Sequence, residues 1–109
     1  MTTTTKVQGC CGLVDPAMGA EDAAEVAERF KALADPTRVR MVNLLLRNPE
    51  LCVCDLQANF DLSQPTISHH LGLLRKAGLV ESTERGRWAF YRVRDEAISE
   101  LRTVLEVTR

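Results

Sequence analysis

Two thiols stand two residues apart in the stretch Glu50-Leu51-Cys52-Val53-Cys54-Asp55-Leu56, and a second pair, Cys10 and Cys11, sits between glycines near the start of the chain. No apolar run of signal-peptide length accompanies them. No segment approaches the roughly 20 apolar residues of a membrane span, which predicts a cytoplasmic protein. The cytosol keeps thiols reduced, so structural disulfides are disfavoured and metal binding or redox chemistry is the better reading. Burial as small apolar side chains is the competing reading for Cys52 and Cys54. It is weaker for Cys10 and Cys11, whose polar surroundings offer no core.

Sites built of thiolates select soft ions over magnesium, calcium or manganese. Three pyramidal thiolates suit trivalent arsenic or antimony; four suit cadmium, lead or zinc. Four cysteines permit either, and the adjacent Cys10 and Cys11 favour arsenite, because neighbouring thiols readily chelate a trivalent metalloid. On a regular helix, however, Cys52 and Cys54 would point about 200° apart. They can face one ion only where the helix start is distorted, and further ligands must come from Cys10 and Cys11.

The elements that must position these groups follow from periodicity. The chain has 109 residues and is 45% hydrophobic, which suits one domain. Residues 1–19 show no periodicity and read as a flexible arm; residues 20–109 carry the domain. From Glu21, the residues Ala23, Val26, Ala27, Phe30, Leu33 and Ala34 share a helical face. Asp35 and Pro36 form a start signal for a second helix that would bury Val39, Val42, Leu45 and Leu46. Asn48 and Pro49 repeat that signal and predict a short helix through about Phe60, with both cysteines inside it. Ser63 caps the next helix, in which Ile67, Leu71 and Leu74 form the apolar stripe, and Gly78 ends it. Two short helices joined by Asp61-Leu62-Ser63 make a helix-turn-helix.

Residues 79–84 and 88–94 read as strands around Arg85-Gly86-Arg87, a hairpin tip and hence a wing. Trp88, Phe90 and Tyr91 read as its core. Asp95 is the expected cap of a last helix with Ala97, Ile98, Leu101, Val104 and Leu105 on one side. The first and last helices cannot hide these stripes within so small a domain, which predicts a homodimer through them. The fold class is therefore mainly α with a β-hairpin, a winged helix-turn-helix.

Formal net charge is −1, but Ser63 to Arg94 carries six basic and two acidic residues, so the basic charge is concentrated on the reading helix and wing. Ser63, Gln64, Thr66, Ser68 and His69 supply donors and acceptors for base edges in the major groove. Arg75, Lys76, Arg85 and Arg87 suit phosphate. His69 and His70 are adjacent and point about 100° apart, so they form no ready metal pair. An enzyme is not predicted: the sequence has C-C and C-x-C rather than C-x-x-C, and no phosphate loop, serine triad or paired-carboxylate site.

The segments FKALADPTRVRMVNLLL, ELCVCDL, LSQPTISHHLGLLRKAGLV and RGRWAFYRV, in this order and spacing, resemble the ArsR/SmtB family of winged-helix repressors that respond to metals or metalloids. The arsenic-responsive members are the most similar. The resemblance implies a homodimer bound to palindromic double-stranded operator DNA and released on inducer binding. Some members bind zinc through Asp, His and Glu on the last helix, which here holds no histidine. Others use the ELCVC thiolates together with an arm that crosses from the partner. The expected ligands are therefore Cys10, Cys11, Cys52 and Cys54, with arsenite, As(III), as inducer and Sb(III), Cd(II), Pb(II) or Zn(II) as alternatives.

Overall fold

The computed structural model describes residues 5–6 and 13–107. Near the start, β1 (Thr5–Lys6) pairs antiparallel with β2 (Leu13–Val14), Thr5 opposite Val14. Cys10 and Cys11 lie outside the described residues.

Helix α1 (Ala20–Leu33) places Glu21 and Asp22 in its first turn, where negative charge complements the unpaired N–H groups. Its buried face is Val26, Arg29 and Ala32, while Ala23, Ala27 and Ala34 are exposed. The helix is thus turned from the purely apolar face expected, because Arg29 is drawn inward by partners on two other elements. Helix α2 (Pro36–Arg47) begins as expected. Asp35 accepts the Arg38 N–H at 3.1 Å, and Pro36 occupies the first turn. Met41, Val42 and Leu45 are buried, but Val39 and Leu46 are each 49% exposed. These two face a groove also lined by Phe30, Leu33, Ile98 and Leu105.

The start signal at Asn48 and Pro49 does not open a helix. Asn48 ends α2, its amide donating to the Leu44 carbonyl at 2.9 Å, and its extended backbone is what a following proline favours. The chain then runs as β3 (Leu51–Cys52), and only then enters α3 (Val53–Phe60). The reason is tertiary: Leu51 and Cys52 pair with Tyr91 and Phe90 of the wing, which satisfies their backbone groups outside any helix. Asp61 closes α3 in the left-handed region, at φ 49°.

In α4 (Gln64–Lys76), Ser63 accepts the Thr66 N–H, and Ile67, Leu71 and Leu74 are wholly buried. Gly78, at φ 80°, turns the chain so that its N–H reaches Arg75 and the Leu79 N–H reaches Leu74. The wing strands β4 (Val80–Arg85) and β5 (Trp88–Val93) stay in register from Val80 opposite Val93 to Arg85 opposite Trp88, with Gly86 at φ 64° in the turn. The sheet order is β3-β5-β4. The wing is therefore a three-stranded sheet, and its third strand carries Cys52.

Helix α5 (Asp95–Val104) is preceded by Arg94 in the capping position, so Asp95 lies inside the first turn rather than before it. Ala97 and Leu101 are buried, whereas Leu105, expected on the buried stripe, is 70% exposed just past the helix end. The core gathers Met41, Leu56, Ile67, Leu71, Leu74, Leu79 and Val80 from α2, α3, α4 and the wing. Burying each such side chain stabilises the fold by roughly 1.5–3 kcal/mol before entropy is counted. Among the described residues, no helix is long and apolar enough to cross a membrane. The expected winged helix-turn-helix class is the architecture found.

Candidate functional site

The strand-to-helix junction decides the geometry of the C-x-C pair. Cys52 is extended, at φ −87° and ψ 168°, and Cys54 lies in the first turn of α3. With only one of the two on the helix, the opposed directions expected of a regular helix do not arise. The two sulfurs meet and are joined as a disulfide, where reduced thiols were expected. Cys52 faces the core, Cys54 is exposed, and the exposed Asp55 carboxylate shares their corner. One ligand atom from each of the three lies within 4.8 Å of the others. Asp55 also accepts the Cys52 N–H at 3.0 Å, which holds the junction in shape.

A disulfide sulfur is a poor ligand, so reduction is required before this corner can bind an ion. Once reduced, it offers two adjacent soft donors, a chemistry that fits a thiophilic ion and not magnesium or calcium. Two sulfurs leave a three- or four-thiolate set incomplete. The remaining candidate thiols, Cys10 and Cys11, are among the residues not described.

The nine residues expected to meet DNA are all exposed, on α4, at its cap or on the wing. Gln64, Ser68 and His69 lie in the first turns of α4. Ser63 and Thr66 are partly committed to each other, their hydroxyls 2.9 Å apart within the cap. Arg75 donates to Ser82 at 3.3 Å, and Lys76 lies beside it near the C-terminal end. His70 is turned away from this face. Its Nδ1 lies 3.2 Å from the guanidinium of Arg38, which also donates to the Ala32 carbonyl at 2.6 Å. The His69 and His70 rings are 5.8 Å apart and tilted by 58°.

Arg85 and Arg87 flank the wing tip as expected. Trp88 does not join a wing core: it is 54% exposed, at the outer end of β5 opposite Arg85. Phe90 and Tyr91, farther in, are half-buried.

Four charged residues with structural consequences were missed in the sequence. Arg29 donates to the Ala77 carbonyl at the end of α4 and to Glu100 of α5. Arg94 donates to the Gly78 carbonyl at 3.1 Å. Glu50 and Arg92 form an ion-paired cluster with Arg85 and Glu81, and Arg92 also donates to the Thr83 hydroxyl. The signal for Glu50 was its place two residues before Cys52, but pairing it with residues 35 and 42 positions away needs the β3–β5 register. Two carboxyls are held below their usual range. The backbone N–H of Arg38 does so for Asp35, and for Glu96 its own backbone N–H acts first and Arg94 second.

Residues 35–82, from the cap of α2 to the third residue pair of the wing, match the family described as bacterial regulatory protein, arsR family. An uncharacterised helix-turn-helix transcriptional regulator of Methanocaldococcus jannaschii is 43% identical over 81 residues, covering 74% of this chain and 91% of that one. The arsenical resistance operon repressor of Escherichia coli is 53% identical over 64 residues, 59% of this chain and 55% of the repressor, so the match spans about half of that relative. Regulators named for cadmium resistance match at 38% and 39% identity. Among solved structures, a homodimeric winged helix-turn-helix DNA-binding domain of Mycobacterium bovis superposes with a TM-score of 0.67 at 27% identity, over 80% of this chain and 83% of that one. The helix-turn-helix, the wing and these likenesses agree: the chain belongs to the ArsR family and is a transcriptional regulator, not an enzyme.

Proposed function

We propose that the protein is a repressor that holds operator DNA as a homodimer and releases it when trivalent arsenic, or antimony, is captured by the thiolates of Cys52 and Cys54 with Cys10 and Cys11. The observation that carries this reading is the meeting of the Cys52 and Cys54 sulfurs where β3 passes into α3. That point is one short helix away from α4 and is hydrogen-bonded directly to the wing.

The remaining steps follow from the chain's own residues. Gln64, Ser68 and His69, with the Ser63 and Thr66 hydroxyls, face bases or phosphates in the major groove. Arg75, Lys76, Arg85 and Arg87 face phosphates. The groove between α1, α2 and α5, with Val39, Leu46 and Leu105 exposed along it, receives the second subunit. Two readers held by one interface must stay about one DNA turn apart. Tying the N-terminal arm to the start of α3 displaces α3 and α4 from that spacing. Allosteric coupling of ~1–3 kcal/mol lowers affinity about 5- to 150-fold, enough to release the operator. A relative named as an arsenical resistance repressor and the adjacent Cys10 and Cys11 support arsenite over a divalent metal.

Fluorescence anisotropy of the reduced protein on the DNA upstream of its own coding sequence tests this, titrated in parallel with arsenite, antimonite, cadmium, lead and zinc. Arsenite should release the DNA at low stoichiometry, and Cys52→Ser and Cys54→Ser should keep DNA binding and lose release. Release by cadmium or lead but not arsenite would replace the metalloid with a four-thiolate metal site. Loss of DNA binding in both variants would make the cysteines structural.

A further inference from the structure

Arg85 is held from two sides. Its guanidinium lies 4.1 Å above the ring of Phe90, and it is ion-paired with Glu50. The second carboxylate oxygen of Glu50 accepts from Arg92 at 3.4 Å. Arg92 has partners of its own, Glu81 at 2.9 Å and the Thr83 hydroxyl at 2.8 Å. If Glu50 withdraws, Arg92 stays held on the sheet while Arg85 loses its carboxylate. Arg85 is therefore the cation whose availability Glu50 controls.

Carboxylate and phosphodiester oxygens are the same class of acceptor for a guanidinium fork. A guanidinium committed to Glu50 is neutralised just where the wing tip needs positive charge, and the carboxylate itself repels an approaching phosphate. The side chains of Arg85 and Glu50 are 54% and 31% exposed, so solvent and DNA can both reach the pair.

We propose that Glu50 is a positioning residue that competes with the DNA backbone for Arg85 and so sets how firmly the wing grips DNA. The proposal rests on the reading that the wing lies against DNA. It also gives the thiol corner a direct line to the wing. Glu50 immediately precedes β3, whose second residue, Cys52, pairs with Phe90, the residue under Arg85. A shift of β3 along β5 moves the carboxylate relative to Arg85 without passing through α3 or α4.

The test compares wild type, Glu50→Gln, Arg85→Gln and the double variant. Each is bound without inducer to a duplex of the upstream DNA across a range of salt concentrations, with thermal melts to confirm that each is folded. Glu50→Gln should bind roughly two- to fivefold tighter, the scale of an exposed ion pair. Its plot of log affinity against log salt should steepen by about 0.9 for each wing that gains a phosphate. Arg85→Gln should bind more weakly with a shallower slope, and adding Glu50→Gln to it should give a clearly smaller gain than in wild type, only what loss of the carboxylate's own repulsion supplies. If Arg85→Gln weakens binding but Glu50→Gln leaves affinity and slope as in wild type, or if the gain persists undiminished without Arg85, the competition does not exist. If Arg85→Gln has no effect, the wing reading fails and the proposal falls with it.

Discussion

Replacing Arg29 by methionine removes a charged side chain that ties the first helix to both the reading helix and the last helix. Its side chain is only 11% exposed, and its three contacts are unequal. Glu100, at 2.5 Å, is 46% exposed and Glu25, at 3.5 Å, is 63% exposed. Both carboxylates can return to water once the guanidinium is gone. Each lost ion pair then costs no more than the ~0–1 kcal/mol of an exposed pair, well short of the ~3–5 kcal/mol of a stranded buried charge. The Ala77 carbonyl, accepting Arg29 Nε at 3.2 Å, loses a charged donor at the end of α4, a loss of ~1–3 kcal/mol. Methionine recovers part of this by filling the space of the arginine stem. The expected net loss is about 2–3 kcal/mol. At about 4–8 °C per kcal/mol for a domain of this size, the melting temperature should fall by roughly 10–20 °C. Urea and thermal unfolding followed by circular dichroism at one fixed protein concentration measure it, since the apparent stability of the proposed dimer would depend on concentration. Arg29→Lys, which keeps the charge but not the planar fork, should fall between. A loss below about 0.5 kcal/mol for Arg29→Met would refute the reasoning.

Leu46→Glu places a charge on the exposed groove between α1, α2 and α5 and should convert a dimer to monomers with little change in helix content, read by sedimentation; an unchanged dimer would move the interface elsewhere. Acid sensitivity should come partly from Asp35 and Glu96, whose folded values are depressed. Stability from such groups is complete above the ordinary carboxylate range and is lost as pH falls through their depressed values. Asp35→Asn, which retains a capping oxygen without titrating, should flatten the acid limb of a stability-versus-pH curve; an unaltered limb would show that the cap does not contribute to it.

What could be read from the sequence alone was local. Asp35-Pro36 and Ser63 with Pro65 start helices by satisfying or removing the first unpaired N–H groups, and Gly78 and Gly86 take positive φ where a side chain would be strained; all four features are where the pattern placed them. Ile67, Leu71 and Leu74 are buried because their spacing lets a single helical face meet the core. The arrangement of helix-turn-helix and wing follows from such signals in succession. The tertiary structure decided matters where a segment's partner lies far along the chain. Asn48-Pro49 carries the same local start signal as Asp35-Pro36, yet Leu51 and Cys52 become a strand because β5, some forty residues later, offers them backbone partners. That single pairing brings the Cys52 and Cys54 sulfurs together, sets Glu50 beside Arg85, and turns a hairpin into a sheet that carries the thiol corner on its edge. Arg29 is the same case in the helices: it is buried because the carbonyl of Ala77 and the carboxylate of Glu100 converge on it only when the chain is folded.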